Sequence, residues 1–268
     1  MIAEGKTILL AGFGNMGQAL ARGWLDAGID PASVTIVDPS EAARALARQL
    51  GVSAAGNTEE LKTPVDIVVL AVKPAMIEAV LQSLPPAAVH LSIAAGRSIA
   101  EISRCVAADA AIVRAMPNTP AAIGLGVTGL CANSTASAAD RELVSDLMSA
   151  VGQVEWLADE SQMDALTAVS GSGPAYVFLL IECLTEAGIE AGLEADLAER
   201  LATATVNGAS AYAAVSESDA ATLRRQVTSP NGTTAAALDV LLEKDALKKL
   251  FGSAVAAATM RSRELRSG

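Results

Sequence analysis

An apolar run, Ile8-Leu9-Leu10-Ala11, passes into Gly12-Phe13-Gly14-Asn15-Met16-Gly17 and then into a helical pattern, Gln18-Ala19-Leu20-Ala21-Arg22. Glycines at those three positions suit the holding of a pyrophosphate. Gly12 permits a tight turn, Gly14 lets the backbone approach the anion, and Gly17 lets the helix sit close to the strand while its N-terminus offers N–H donors. The spacing is weak by itself and gains weight from following the first strand of a βαβ series. Asp38 closes the run Thr35-Ile36-Val37, 21 residues past Gly17. A carboxylate there accepts hydrogen bonds from an adenosine ribose, or it caps the helix beginning near Ser40, and both readings stand open. The first favours NADH, because Asp38 repels a 2′-phosphate that Arg44 and Arg48 reach only from a distance.

Further along, Val72-Lys73-Pro74 places a cation and a chain break at the end of another apolar run, where open α/β sheets bind ligands. Lys73 either neutralises a bound anion or is an ordinary solvated lysine. Arg114-Ala115-Met116-Pro117-Asn118-Thr119-Pro120 repeats the arrangement, with two prolines stiffening a loop in which Asn118 offers both donor and acceptor. In the last third, Ser170-Gly171-Ser172-Gly173-Pro174 precedes an apolar helix and serves either a ligand or close helix packing. Thr228-Ser229-Pro230-Asn231-Gly232-Thr233-Thr234 precedes another helical run, and its hydroxyls and N–H groups at a helix start suit a carboxylate. Plain helix capping by Thr233 or Thr234 is the alternative.

These residues need a scaffold. Thr7–Ala11, Val34–Val37, Asp66–Val72, Val89–Ile93 and Ala110–Arg114 read as strands between amphipathic segments, and their continuous apolar character fits a parallel sheet covered by helices on both faces. The expected class is α/β, doubly wound. Gly124-Leu125-Gly126 and Asn133–Ala139 read as loops. After Asp159 helical patterns take over, so residues 1–159 are expected to form a dinucleotide-binding domain and 160–268 a helical one. The helical part is apolar on more than one face, as in Ala175–Leu184 and Leu250–Met260, which predicts packing between subunits.

The remaining composition excludes whole classes. A formal charge of −11 disfavours nucleic acid as a partner. No run reaches the roughly 18 uninterrupted apolar residues of a spanning helix, and no secretory signal opens the chain, so a cytoplasmic protein without a membrane partner is expected. Cys105, Cys131 and Cys183 are unpaired in spacing, and His90 is the single histidine. No metal site and no histidine-based triad is expected.

In this order the motifs resemble those of pyrroline-5-carboxylate reductases over nearly the full length. The resemblance rests on the glycine motif, Ala71-Val72-Lys73-Pro74, Ser92-Ile93-Ala94-Ala95-Gly96, the Arg114–Pro120 loop, Ser170–Phe178 and, most specifically, Val227–Thr234. It implies a Rossmann domain followed by an all-helical dimerisation domain, a homodimer and further assembly into a ring of dimers. It implies NADPH or NADH bound by Gly12, Phe13, Gly14, Asn15, Met16, Gly17, Asp38, Asn57, Ala71, Val72, Lys73, Pro74 and Asn118. The small imine substrate would lie against Ser229, Asn231, Gly232, Thr233 and Thr234, with Thr234, Lys73 and Glu217 as the catalytic set. Two positions depart from the family. Asn231 replaces the first of two glycines, and asparagine tolerates left-handed angles. Asp38 stands where many members, which commonly use NADPH, carry a small neutral polar residue. A 3-hydroxy-acid dehydrogenase would share such a fold but needs a catalytic lysine in its helical domain, where only Lys244, Lys248 and Lys249 occur.

Overall fold

The computed structural model describes residues 3, 5–58, 61 and 63–267. Contacts divide the chain into two units, Met1–Gly171 with Ala258–Gly268, and Ser172–Ala257.

The first unit is built on eight strands: β1 Ile8–Ala11, β2 Val34–Val37, β3 Ser53–Ala55, β4 Val65–Leu70, β5 Ala87–Ser92, β6 Ala111–Met116, β7 Gly126–Ala132 and β8 Gly152–Trp156. They lie in the order β3-β2-β1-β4-β5-β6-β7-β8, all parallel except the β6–β7 pair. Between them run α1 Asn15–Asp26, α2 Glu41–Gln49, α3 Ile77–Ser83, α4 Ile99–Ser103 and α5 Ala138–Ser149, with α6 Met163–Leu166 after β8. The alternation of the pleat sorts β1 itself. Ile8 and Leu10 join a core with Leu20, Trp24 and Leu147 from α1 and α5, whereas Leu9 and Ala11 join one with Ile77, Leu81 and Ile102 from α3 and α4. The sheet is covered on both faces, as the apolar strands require.

Three strands escape the sequence reading. β3 is three small residues, β8 is an edge strand carrying Gln153 and Glu155, and β7 begins at Gly126, expected in a loop, and has its apolar sequence interrupted by Gly129. A Cβ at Gly126 would lie 2.9 Å from Ala121 Cα, so close packing selects the glycine that disguises the strand. The sheet is also not wholly parallel. Only residues 117–125 join β6 to β7, too few for a helical crossover, and the strand returns antiparallel. β4 stops at Leu70 rather than Val72, because its partner β1 ends opposite at Ala11 and turns away at Gly12. The other expected strands shift by two residues or fewer at each end, and α5 starts inside the expected 133–139 loop, at Ala138.

The second unit consists of α7 Gly173–Glu190, α8 Ala195–Val215, α9 Ala220–Gln226, α10 Thr233–Leu242 and the start of α11 Ala246–Ser267. α7 and α8 pack closely, and a Cβ on Gly188 would stand 3.3 Å from that of Ala198. Tyr176 and Phe251 meet edge to face, with centroids 6.4 Å apart. None of α7, α9 and α10 buries a residue fully. The stretch Glu160–Glu190 is long and apolar enough to cross a membrane by length and composition, although no uninterrupted apolar run produces it.

Candidate active site

The carboxyl ends of the first unit's strands gather the expected cofactor residues. The strand order reverses beside β1, so the crevice lies between β1 and β4, the place where sheets of this kind bind nucleotides. Gly12 turns there with φ +95°, and a Cβ on it would lie 2.6 Å from the Ala71 carbonyl oxygen. A Cβ on Gly17 would strike the Gly12 carbonyl, whereas one on Gly14 would meet nothing within 4 Å. Thus two glycines close the turn against the sheet and the third leaves its outer side open. Gly14 N-caps α1 with no side-chain hydrogen bond, so the first N–H groups of α1 keep their donors for an anion. This combination fits a dinucleotide pyrophosphate. Asn15 is exposed and Met16 half-buried beside it, while the Phe13 ring is sealed in the core.

Asp38 adopts a third arrangement, in which Ser40 and not Asp38 caps α2. One carboxylate oxygen accepts from Phe13 N at 2.7 Å and the other from Ser40 N at 2.8 Å. Ser40 in turn caps α2 by accepting from Ala43 N. Asp38 therefore fixes the glycine turn to the start of α2, and each of its oxygens keeps a lone pair for a ribose hydroxyl. Arg44 is not distant, since its Nη1 donates to the Asp38 carbonyl at 2.8 Å. Its Nη2 pairs with Glu41 Oε2, and Arg48 Nη1 donates to Glu41 Oε1 at 2.9 Å. Hydrogen bonds from Arg48 and then Arg44 hold the Glu41 carboxyl below the usual carboxylate range. Sequence reasoning passed over Glu41, whose only signal was its spacing of three and seven residues from those arginines.

Ala71 and Val72 are half-buried past the end of β4, and Lys73 is exposed at the start of the turn Pro74–Met76. Asn57 is exposed just past β3, next to the β2 end. Asn118 uses its amide inside the unit: Nδ2 donates to the Ser170 carbonyl at 3.1 Å and Oδ1 accepts from Val127 N at 2.8 Å. It ties the loop after β6 to β7 and to the π-helical turn Thr167–Gly171. Arg114, expected where its strand ends and the loop begins, is buried inside β6 and pairs with Glu160 at 2.8 Å, whose same oxygen accepts from Ile99 N at 3.0 Å. An arginine in an otherwise apolar strand was the available signal for this clamp. His90 is buried in β5, and desolvation pushes its pKa down. Among the described residues no cluster of three potential metal ligands occurs.

The second unit carries the other motif. Asn231 adopts φ +57°, the left-handed conformation its replacement of glycine demands. Gly232 N donates to the Ser229 carbonyl at 3.1 Å, and Gly232 caps α10 without a side-chain bond. Ser229, Asn231, Thr233 and Thr234 are exposed around the uncapped N-terminus of α10, an arrangement suited to a carboxylate. Glu217 lies in the bend before α9 and the loop follows α9, so that seven-residue helix, about 10 Å long, stands between them.

Comparison with known proteins matches this architecture piece by piece. Residues 160–265 fit the family model for pyrroline-5-carboxylate reductase dimerisation, and residues 7–96 fit that for coenzyme F420-dependent NADP oxidoreductases. The pyrroline-5-carboxylate reductase of Pseudomonas aeruginosa is 43% identical over 96% of this chain and 96% of its own. The structure of the Coxiella burnetii enzyme superposes with a TM-score of 0.91 at 36% identity, covering 97% of this chain and 98% of that one. The Plasmodium falciparum enzyme, solved with NADP bound, gives 0.83 at 32% identity, covering 98% and 99%. With the glycine turn, the Asn231 loop and full-length relatives in agreement, the chain belongs to the pyrroline-5-carboxylate reductase family.

Proposed function

We infer that this chain reduces 1-pyrroline-5-carboxylate to L-proline, the last step of proline biosynthesis, with a reduced nicotinamide dinucleotide. The observation that carries the reading is the coexistence of two uncapped helix starts, α1 behind an open glycine turn and α10 behind the Asn231 turn. One suits a pyrophosphate and the other a carboxylate.

In this reading residues 1–159 serve the cofactor and 160–268 serve the substrate and dimerisation. Gly12 to Gly17 hold the pyrophosphate, Asp38 and Asn57 face the adenosine side, and Ala71 to Pro74 border the nicotinamide with Lys73 at its edge. Asn118 keeps the neighbouring loop in place. The backbone donors and hydroxyls of Ser229, Asn231, Gly232 and Thr233 hold the substrate carboxylate. The Thr234 hydroxyl hydrogen-bonds the ring nitrogen, and Glu217 stabilises its positive charge. The bound reduced nicotinamide supplies the hydride. A protonated imine accepts hydride readily at carbon, so the residues need only orient the ring and manage one proton, without metal, histidine base or nucleophile. Asp38 selects NADH over NADPH. The apolar faces of α7, α10 and α11 are covered in a homodimer, with dimers joining in a ring, and the enzyme works in the cytoplasm.

The test is oxidation of NADH and NADPH by the purified protein with 1-pyrroline-5-carboxylate, with proline measured as product. Proline formation, faster with NADH, is expected. Folded protein that binds a dinucleotide but forms no proline overturns the assignment.

A further inference from the structure

At the carboxyl end of β2 four charged side chains form a closed group. Asp38 is held by two backbone N–H groups, and Arg44 is anchored on the Asp38 carbonyl with its side chain only 16% exposed. Arg44 and Arg48 then share one carboxylate, each taking a different oxygen of Glu41. Two guanidiniums converging on the oxygens of one anion is also how a phosphate is gripped. In dinucleotide-binding sheets the ribose lies at this strand end, and a nearby arginine accommodates a 2′-phosphate. Here those arginines already have an anion, and with Asp38 and Glu41 present the group of four is neutral. Glu41 is 65% exposed, so an incoming phosphate can displace it, but only by breaking both pairs.

We propose that Glu41 is a specificity-determining residue of the cofactor site: it occupies Arg44 and Arg48 as a built-in counter-anion and thereby weakens binding of a 2′-phosphorylated dinucleotide. The proposal rests on the reading that the first unit binds the dinucleotide with its ribose at Asp38. It is separate from the selection exerted by Asp38, because Glu41 acts by engaging cations rather than by facing the ribose. Removing its charge leaves a net positive group, to which NADPH, through its 2′-phosphate, gains more attraction than NADH.

The experiment is fluorescence titration of the full-length protein with NADPH and with NADH, without substrate, for wild type, Glu41→Gln and Glu41→Gln combined with Arg44→Ala. Glu41→Gln is expected to lower the NADPH Kd about 3- to 10-fold, in line with freeing an exposed ion pair for a charge-assisted contact, and to leave the NADH Kd within about 2-fold. The gain should shrink when salt is raised from about 0.05 to about 0.5 M, as screening requires, and vanish when Arg44 is also removed. An unchanged NADPH Kd in Glu41→Gln that still binds NADH normally overturns the proposal, as does a gain that survives Arg44→Ala. Wild-type protein binding neither dinucleotide overturns the dinucleotide reading itself, and this one with it.

Discussion

In the sheet-bearing unit Leu9, Leu10, Ile67 and Leu91 are sealed from solvent, and even Trp24 is enclosed with its indole N–H donating to the Leu147 carbonyl at 2.9 Å. In the helical unit Phe178, Val240 and Leu250 remain 62%, 72% and 67% exposed, although their sequence is just as apolar. The first unit closes its own core around a sheet whose carboxyl edge can then hold a ligand with backbone atoms. The second does not close a comparable core, since α7, α9 and α10 bury no residue fully and α8 buries only Ala198 and Ala202, and its match to a dimerisation domain supplies the reason. Apolar surface of this extent is stable only when covered.

That contrast can be broken first where it is steepest. Phe178→Glu, placing a charge on the exposed face of α7, should abolish assembly and with it nearly all activity, because an unpaired carboxylate in a covered apolar face is strongly unfavourable. Light scattering would then report the 27.1 kDa of one chain. A variant that keeps its assembly and activity would show that this face is not an interface. In the sheet unit, by contrast, Leu20→Ala should cost about 2–5 kcal/mol in denaturant unfolding while leaving the assembly intact. Dissociation by Leu20→Ala would erase the distinction between the two regions.

Smaller effects sharpen it. Asn231→Val should strain the left-handed turn by about 1–2 kcal/mol and raise KM for the imine acid about 5- to 30-fold, whereas Asn231→Gly should leave KM nearly unchanged. Equal KM values for both would remove the turn geometry from substrate binding. The smallest effect is the pH response of the sheet core. Burial lowers the His90 pKa below its ordinary 6.5, so the unfolded chain takes up a proton first as pH falls. Its contribution to stability is complete above about pH 6.5 and is lost as pH falls through the folded value. Melting temperatures between pH 7.5 and 5 should therefore fall less steeply in His90→Gln than in wild type, and parallel slopes would contradict this.

Much of this was legible in the sequence, for reasons that differ by region. β1, β2 and β4 to β6 declare themselves because strands buried on both faces must be continuously apolar, and the glycine turn because a Cβ at Gly12 would meet the Ala71 carbonyl and one at Gly17 the Gly12 carbonyl. β7 was hidden because packing against Ala121 and Leu166 imposes glycines where a strand signal should be. Asp38 was placed correctly at its strand end, but its grip on Phe13 N joins residues 25 apart and has no local signature. The pairing of Glu41 with both arginines depends on side-chain directions along one helix face, which spacing permits but does not dictate. The Asn231 conformation was readable because few residues other than glycine accept positive φ, and asparagine is one of them.

If cofactor and substrate are handled by separate units, as proposed, the Thr234 hydroxyl serves the reaction and not the dinucleotide. Dinucleotide Kd and kcat with 1-pyrroline-5-carboxylate, measured on the same preparation of Thr234→Ala and wild type, test it most directly. A kcat about 100-fold lower is expected with Kd within about 2-fold of wild type, as for removal of a group that acts on a proton. An unchanged kcat would remove Thr234 from the reaction, and a Kd that weakens in step with kcat would place it at the dinucleotide.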